Sequence, residues 1–162
     1  MLHEDDAFFL LLVHPAFAKH LAGWNMGLHR VADIYDWLQT CPVDWQALHR
    51  RLDDNGVKTA AWATLRWVLL LTEPHFSGGA EATIGKAITE LQPRYLRRAW
   101  LEHWLQSDLS ARLYRRHWAT LFGLSLFLHD RPGDAVRALR GRSYARRREA
   151  EDLAAFEQLT AQ

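Results

Sequence analysis

Four residues on one short stretch carry side chains suited to binding. His29, Asp33 and Asp36 stand at i, i+4 and i+7, which on a helix stacks an imidazole and two carboxylates on one face, the donor set of a divalent metal site. Arg30 offers a simpler account, because paired with Asp33 it makes an ordinary solvated helix face. We take His29, Arg30, Asp33 and Asp36 as a candidate binding set that calls for neither metal nor cofactor. His14 and His20 join it from upstream. Six residues apart, they point more than about 90° from each other around a helix, so they are not the paired ligands of a His-Glu-x-x-His motif. Burial, with bonds to neighbouring backbone or to a corner tryptophan, is the expectation for both.

Two Arg-x4-His pairs, Arg98 with His103 and Arg112 with His117, resemble the short motif of small all-helical ribonucleases. There a histidine serves as general acid or base and an arginine holds phosphate. Seventeen arginines and nine histidines in 162 residues give about one such pair by chance, so two carry little weight. Arg112 and His117 are the alternative catalytic residues if the chain is an enzyme. Arg137, Arg140, Arg142, Arg146, Arg147 and Arg148, with Tyr144 among them, make a basic segment that fits an RNA backbone. Helix pairing of Arg147 with Glu151 and of Arg148 with Asp152 accounts for the same residues. Gly78-Gly79 lacks the lysine that follows the glycines of a phosphate loop and reads as a plain loop.

The elements that position these residues read as helices throughout. Apolar residues from Phe8 to Val13 form a first helix capped by Asp5 or Asp6, with Pro15 expected to kink or restart it. Ala22-Gly23 closes that segment and Trp24-Asn25 turns the chain. From Gly27, the residues Leu28, Val31, Ile34, Tyr35 and Leu38 fall on one arc of a second helix, apart from the arc of His29, Asp33 and Asp36. Asp44 caps a third helix from Trp45 to about Asp54, which Asn55-Gly56 ends. Val57 to about Glu73 is apolar almost all round, with Lys58 and Arg66 its only charges before Glu73, and is therefore the expected centre of a bundle. A short helix follows from Glu81 to about Leu91, and then one opened by Pro93. Ser107 or Asp108 caps a segment running to about Leu128, which Asp130-Arg131-Pro132-Gly133 ends. Polar helices from Asp134 to about Leu139 and from Ser143 to about Leu159 close the chain. No strand-like alternation, long repeat or low-complexity tract appears.

His14, His20, Trp24, the run Leu28-His29-Arg30-Val31-Ala32-Asp33-Ile34 and the helix start Val43-Asp44-Trp45 together resemble the helical C-terminal half of a family of uncharacterised bacterial nucleotidyltransferase-like proteins. The likeness covers about residues 10–74 and, more loosely, 126–139. It implies a helical unit that covers a nucleotide-binding half and shapes an acceptor site, with a nucleotidyltransferase half as the protein partner in trans. The family's catalytic half carries a Gly-Ser turn followed by two aspartates one residue apart. No Asp-x-Asp occurs in this chain, so those catalytic residues do not carry over.

Composition sets the remaining bounds. A chain of 162 residues, 49% hydrophobic with eight tryptophans, is enough for one domain with a packed core, and a layer boundary falls at 75–80. The lone Cys41 excludes an internal disulfide and suits a reducing compartment. The apolar runs at 7–13 and 67–72 are too short for a bilayer, and the first follows acidic residues, so we expect a cytoplasmic protein with no membrane partner. Residues 1–80 carry net charge −3 and residues 81–162 carry +4, and seventeen of the twenty basic residues are arginine. The fold expected is an all-α single domain, a compact bundle of about seven to nine helices. The function expected is a non-catalytic partner or substrate-binding module acting with another chain; the alternatives are the small ribonuclease and an RNA-binding helical protein.

Overall fold

Helix α1, Glu4–Ala18, sets the pattern of the molecule, because its buried residues Phe8, Leu12 and Ala16 recur every four positions and seat it on the middle of the chain. These relations come from a computed structural model that describes residues 4–18, 27–72, 79–107 and 118–141. After α1 come α2 (Gly27–Thr40), α3 (Trp45–Asp54), α4 (Lys58–Thr72), α5 (Gly79–Glu90), α6 (Tyr95–Gln106) and α7 (Trp118–Leu128), then a helix α8 at 132–141. The fold is all-α, and no strand occurs among the described residues.

Helix α4 is the centre, as its composition predicts. Ten of its fifteen residues are buried, Trp62, Leu65, Trp67 and Val68 among them, and it packs against α1, α2, α3, α5, α6 and α7. A helix enclosed on nearly all sides cannot hide a polar stripe, so it is apolar all round. Three of its side-chain polar atoms, Trp62 Nε1, Thr64 Oγ1 and Trp67 Nε1, are buried without a hydrogen-bond partner among the described residues. A buried polar atom left unpaired costs about 1–3 kcal/mol of desolvation.

The predicted arc of α2 faces inward: Val31 and Ile34 are buried, and Tyr35 and Leu38 half-buried. Asp44 caps α3, accepting a 3.0 Å bond from the Ala47 amide. At the other end Gly56 takes φ +65°, its amide donates to Asp53 O and the Val57 amide to Leu52 O, the paired bonds of a Schellman turn.

Several expectations are corrected. Helix α1 runs through Pro15, which is buried only three residues before the helix ends, where the lost bond disturbs little. Asp6 lies inside α1 and pairs with Arg51 of α3. Arg94, not Pro93, occupies the N-cap of α6, without a side-chain capping bond. Ser107 ends α6, its hydroxyl donating to Trp104 O at 2.6 Å, and the segment that it or Asp108 was expected to cap begins outside the described residues. Pro132 and Gly133 are the first residues of α8, because proline costs nothing in a helix's first turn. At Gly123 a Cβ would meet Trp100 at 2.8 Å, so glycine there lets α6 and α7 close together, with Trp100 stacked on Phe127 at 4.9 Å.

Candidate functional site

The described residues singled out by sequence fall on the α1/α2 face, on α6 and on α8. His14 is exposed, contrary to the buried histidine expected, because it stands on the side of α1 turned away from Phe8, Leu12 and Ala16. With Arg30 of α2 and the apolar Leu10, Leu11 and Pro15 it lines a shallow cavity of about 400 Å³. Arg30 donates to Asp33 at 3.2 Å, with both side chains well exposed, which is the solvated face anticipated for this helix. His29 and Asp36 are exposed on the same helix. Among the described residues no group of three His, Cys, Asp or Glu side chains is placed to hold a metal ion. His20, Arg112, His117, Arg142, Arg146, Arg147 and Arg148 lie outside the described residues. Arg137 pairs with Asp134 at 3.1 Å on α8, where Arg140 is also exposed. His103 is exposed on α6, and Arg98 lies against the Tyr95 ring.

A larger opening lies between α3 and α5, where sequence reasoning placed nothing. Both helices pack on α4, but they do not pack closely on each other, and a groove of about 750 Å³ remains between them. Its α5 wall is cut back by Ala82, Thr83 and Ala87, side chains too small to reach α3. Its α3 wall carries Trp45, held edge-on against Phe8 of α1 at 6.2 Å and 88°, so the indole is a fixed surface.

Polar groups ring this floor. His49 stands one helical turn after Trp45, and its Nε2 is buried without a hydrogen-bond partner, 3.7 Å from the Glu90 carboxylate of α5. That separation is too long for a hydrogen bond and short enough for attraction when the imidazole is protonated. Arg50 and Lys86 flank the pair from opposite walls. Both are exposed, and neither has a carboxylate within 4.0 Å among the described residues. Arg50 only returns a long 3.4 Å bond to the Gln46 carbonyl of its own helix.

Such an arrangement can hold an anion between two cations and an apolar or planar body against Trp45. It supplies one histidine with a carboxylate 3.7 Å from its Nε2. Among the lining side chains the only hydroxyl is that of Thr83. The only sequence signal for it is the run of small residues on one side of α5, Ala82, Thr83 and Ala87, which by itself does not reveal what stands opposite.

A second polar cluster is structural. Asp130, in the turn between α7 and α8, accepts bonds from the Lys58 amide at 2.5 Å, from the Thr59 amide at 3.2 Å and from the Thr59 hydroxyl, and lies 3.5 Å from Arg97 of α6. It caps the central helix from 72 residues away. Its own amide donates to Gly56 O, and Arg131 donates to Asp53 O at 2.9 Å, so the turn that ends α3 and the turn that starts α8 are bonded face to face.

No family model, curated protein or solved structure matches this chain.

Proposed function

We propose that the chain is a non-catalytic helical binding module that works with a second chain, and that the α3/α5 groove receives an acid-bearing ligand. The observation that carries this reading is the pair of uncompensated cations, Arg50 and Lys86, on either side of an apolar floor built on Trp45. Such a rim attracts carboxylate or phosphate. The resemblance of residues 10–74 to the helical half of nucleotidyltransferase-like proteins supports the same reading, since that half shapes an acceptor site for chemistry done elsewhere. A nucleotidyltransferase half supplied in trans is the partner it suggests, and the lone Cys41 suits a cytoplasmic setting. No helix among the described residues is long and apolar enough to cross a membrane.

Anilinonaphthalene sulfonate, an aromatic body with one fixed negative charge, is a direct probe. Saturable binding should weaken roughly tenfold or more in the Arg50→Glu, Lys86→Glu double variant, as loss of charge-assisted bonds requires. Unchanged binding would sink the groove as a site. The chain incubated with labelled nucleoside triphosphates, magnesium and a mixed acceptor pool should give no labelled product. Metal-dependent labelling abolished by Asp33→Ala or Asp36→Ala would instead make α2 an active site. RNA cleavage lost on His117→Ala would favour the ribonuclease alternative.

A further inference from the structure

We propose that the exposed start of α6, with Arg94, Tyr95 and Arg98 on one face, binds single-stranded nucleic acid. This surface is separate from the α3/α5 groove.

Tyr95 is 72% exposed and its neighbour Leu96 79%, the two most exposed large apolar side chains among the described residues. The ring is not loose: the Arg98 guanidinium carbon sits 5.8 Å from its centroid, one turn further along the helix. Arg94 and Arg98 are four residues apart, so they rise from the same side of α6, with Tyr95 about 100° around from Arg94. Arg94 makes no capping bond, and neither it nor Arg98 has a carboxylate within 4.0 Å among the described residues.

The neighbouring acidic groups are already engaged. Arg97 joins the first turn of α6 to Asp130, whose carboxylate also takes the amides that open α4. Asp53 pairs with Lys58 at 2.8 Å. Arg131, next in the chain to Asp130, is turned toward the end of α3, where it donates to Asp53 O and its charge helps lower the Asp53 carboxyl. Arg94 and Arg98 are left as unpaired cations beside an exposed ring.

Arginines in excess track a phosphate backbone, and a flat aromatic face held open to solvent takes an unstacked base. A duplex buries the faces of its bases and offers Tyr95 nothing to stack on. An anionic membrane fits less well, because interfacial binding needs a continuous apolar stripe along a helix and here the apolar surface is two adjacent residues pointing different ways.

The test is fluorescence anisotropy of a labelled oligouridine with the full chain at two salt concentrations. Tyr95→Ala should weaken binding roughly fivefold or more, with Tyr95→Phe near wild type, as base stacking requires. Arg94→Glu with Arg98→Glu should remove most of the affinity and flatten its salt dependence. Arg50→Glu in the groove should leave it unchanged. Arg50, Arg94 and Tyr95 are exposed and Arg98 is half-buried, and an unaltered helical spectrum checks that each variant folds. Equal loss of single-stranded and duplex binding on Tyr95→Ala would overturn the proposal. So would binding that survives the arginine substitutions and disappears with Arg146→Glu, Arg147→Glu and Arg148→Glu, or vesicles of anionic lipid bound in place of the oligonucleotide.

Discussion

The Asp130 cluster and the α3/α5 groove are built from the same kinds of side chain and end in opposite states. At Asp130 one carboxylate meets two amides, a hydroxyl and a guanidinium, and Gly56 and Asp53 return carbonyls to the turn that carries it. Polar groups there satisfy one another. In the groove two cations face solvent unpaired, and a histidine nitrogen is buried 3.7 Å from a carboxylate it does not reach. The difference separates a site that holds the chain together from a site left open to something else: charge fully matched inside the fold is architecture, and charge left over on a concave apolar surface is capacity for a ligand.

The comparison breaks most sharply at Asp130→Ala. Two amides and a hydroxyl at the start of the central helix would lose their acceptor and Arg97 its partner, so chemical denaturation should show a loss of about 2–4 kcal/mol. A loss under about 0.5 kcal/mol would mean that water replaces the carboxylate at no cost and that the cluster is not a structural joint.

Thr64→Val tests the same logic with the opposite sign. Its hydroxyl is buried and unbonded in the core, so exchanging it for a methyl of similar shape should raise stability by up to about 1 kcal/mol. Destabilisation measured by thermal melting would show that this hydroxyl is bonded in solution.

Lys86→Ala sharpens the contrast from the groove side. An exposed, unpaired side chain should change stability by no more than about 0.5 kcal/mol, while sulfonate binding falls. If stability falls and binding does not, Lys86 belongs with the structural residues.

The smallest effect concerns Asp53. A hydrogen bond and charge attraction from Lys58 hold its carboxyl below the ordinary value of 3.8. A lowered folded value means that Asp53 contributes stability in full above the ordinary value and loses it as pH falls through the lowered one. Asp53→Asn should therefore lower stability slightly at neutral pH and leave it nearly unchanged at the acid end, so that the acid side of the stability profile flattens. An identical acid limb in both proteins would count against the Lys58 contact.

What was legible in the sequence was local. Asp44 before an apolar run, glycine after Asn55 and the all-round apolarity of α4 each state their structural role within a few residues, and the fold follows them. Asp130 could not be read this way, since Asp-Arg-Pro-Gly looks like a helix terminator and its ligands lie 71 and 72 residues upstream. The groove was invisible for a related reason. Neither α3 nor α5 is unusual alone, and the opening exists because both lean on α4 without meeting. His29, Asp33 and Asp36 drew notice by helical spacing, yet spacing cannot tell a converging set from a hydrated one, and Arg30 settles on Asp33.

The distant cap on α4 also has a consequence in time. A ribosome completes Lys58 and Thr59 some 72 residues before it adds Asp130, which at about 5–20 residues per second is roughly 4–14 s of synthesis. Through that interval the segment destined for the middle of the protein exists with its leading amides bonded to water while α5, α6 and α7 are added behind it. The final capping of α4 is thus deferred to the last third of the chain, when one aspartate emerges.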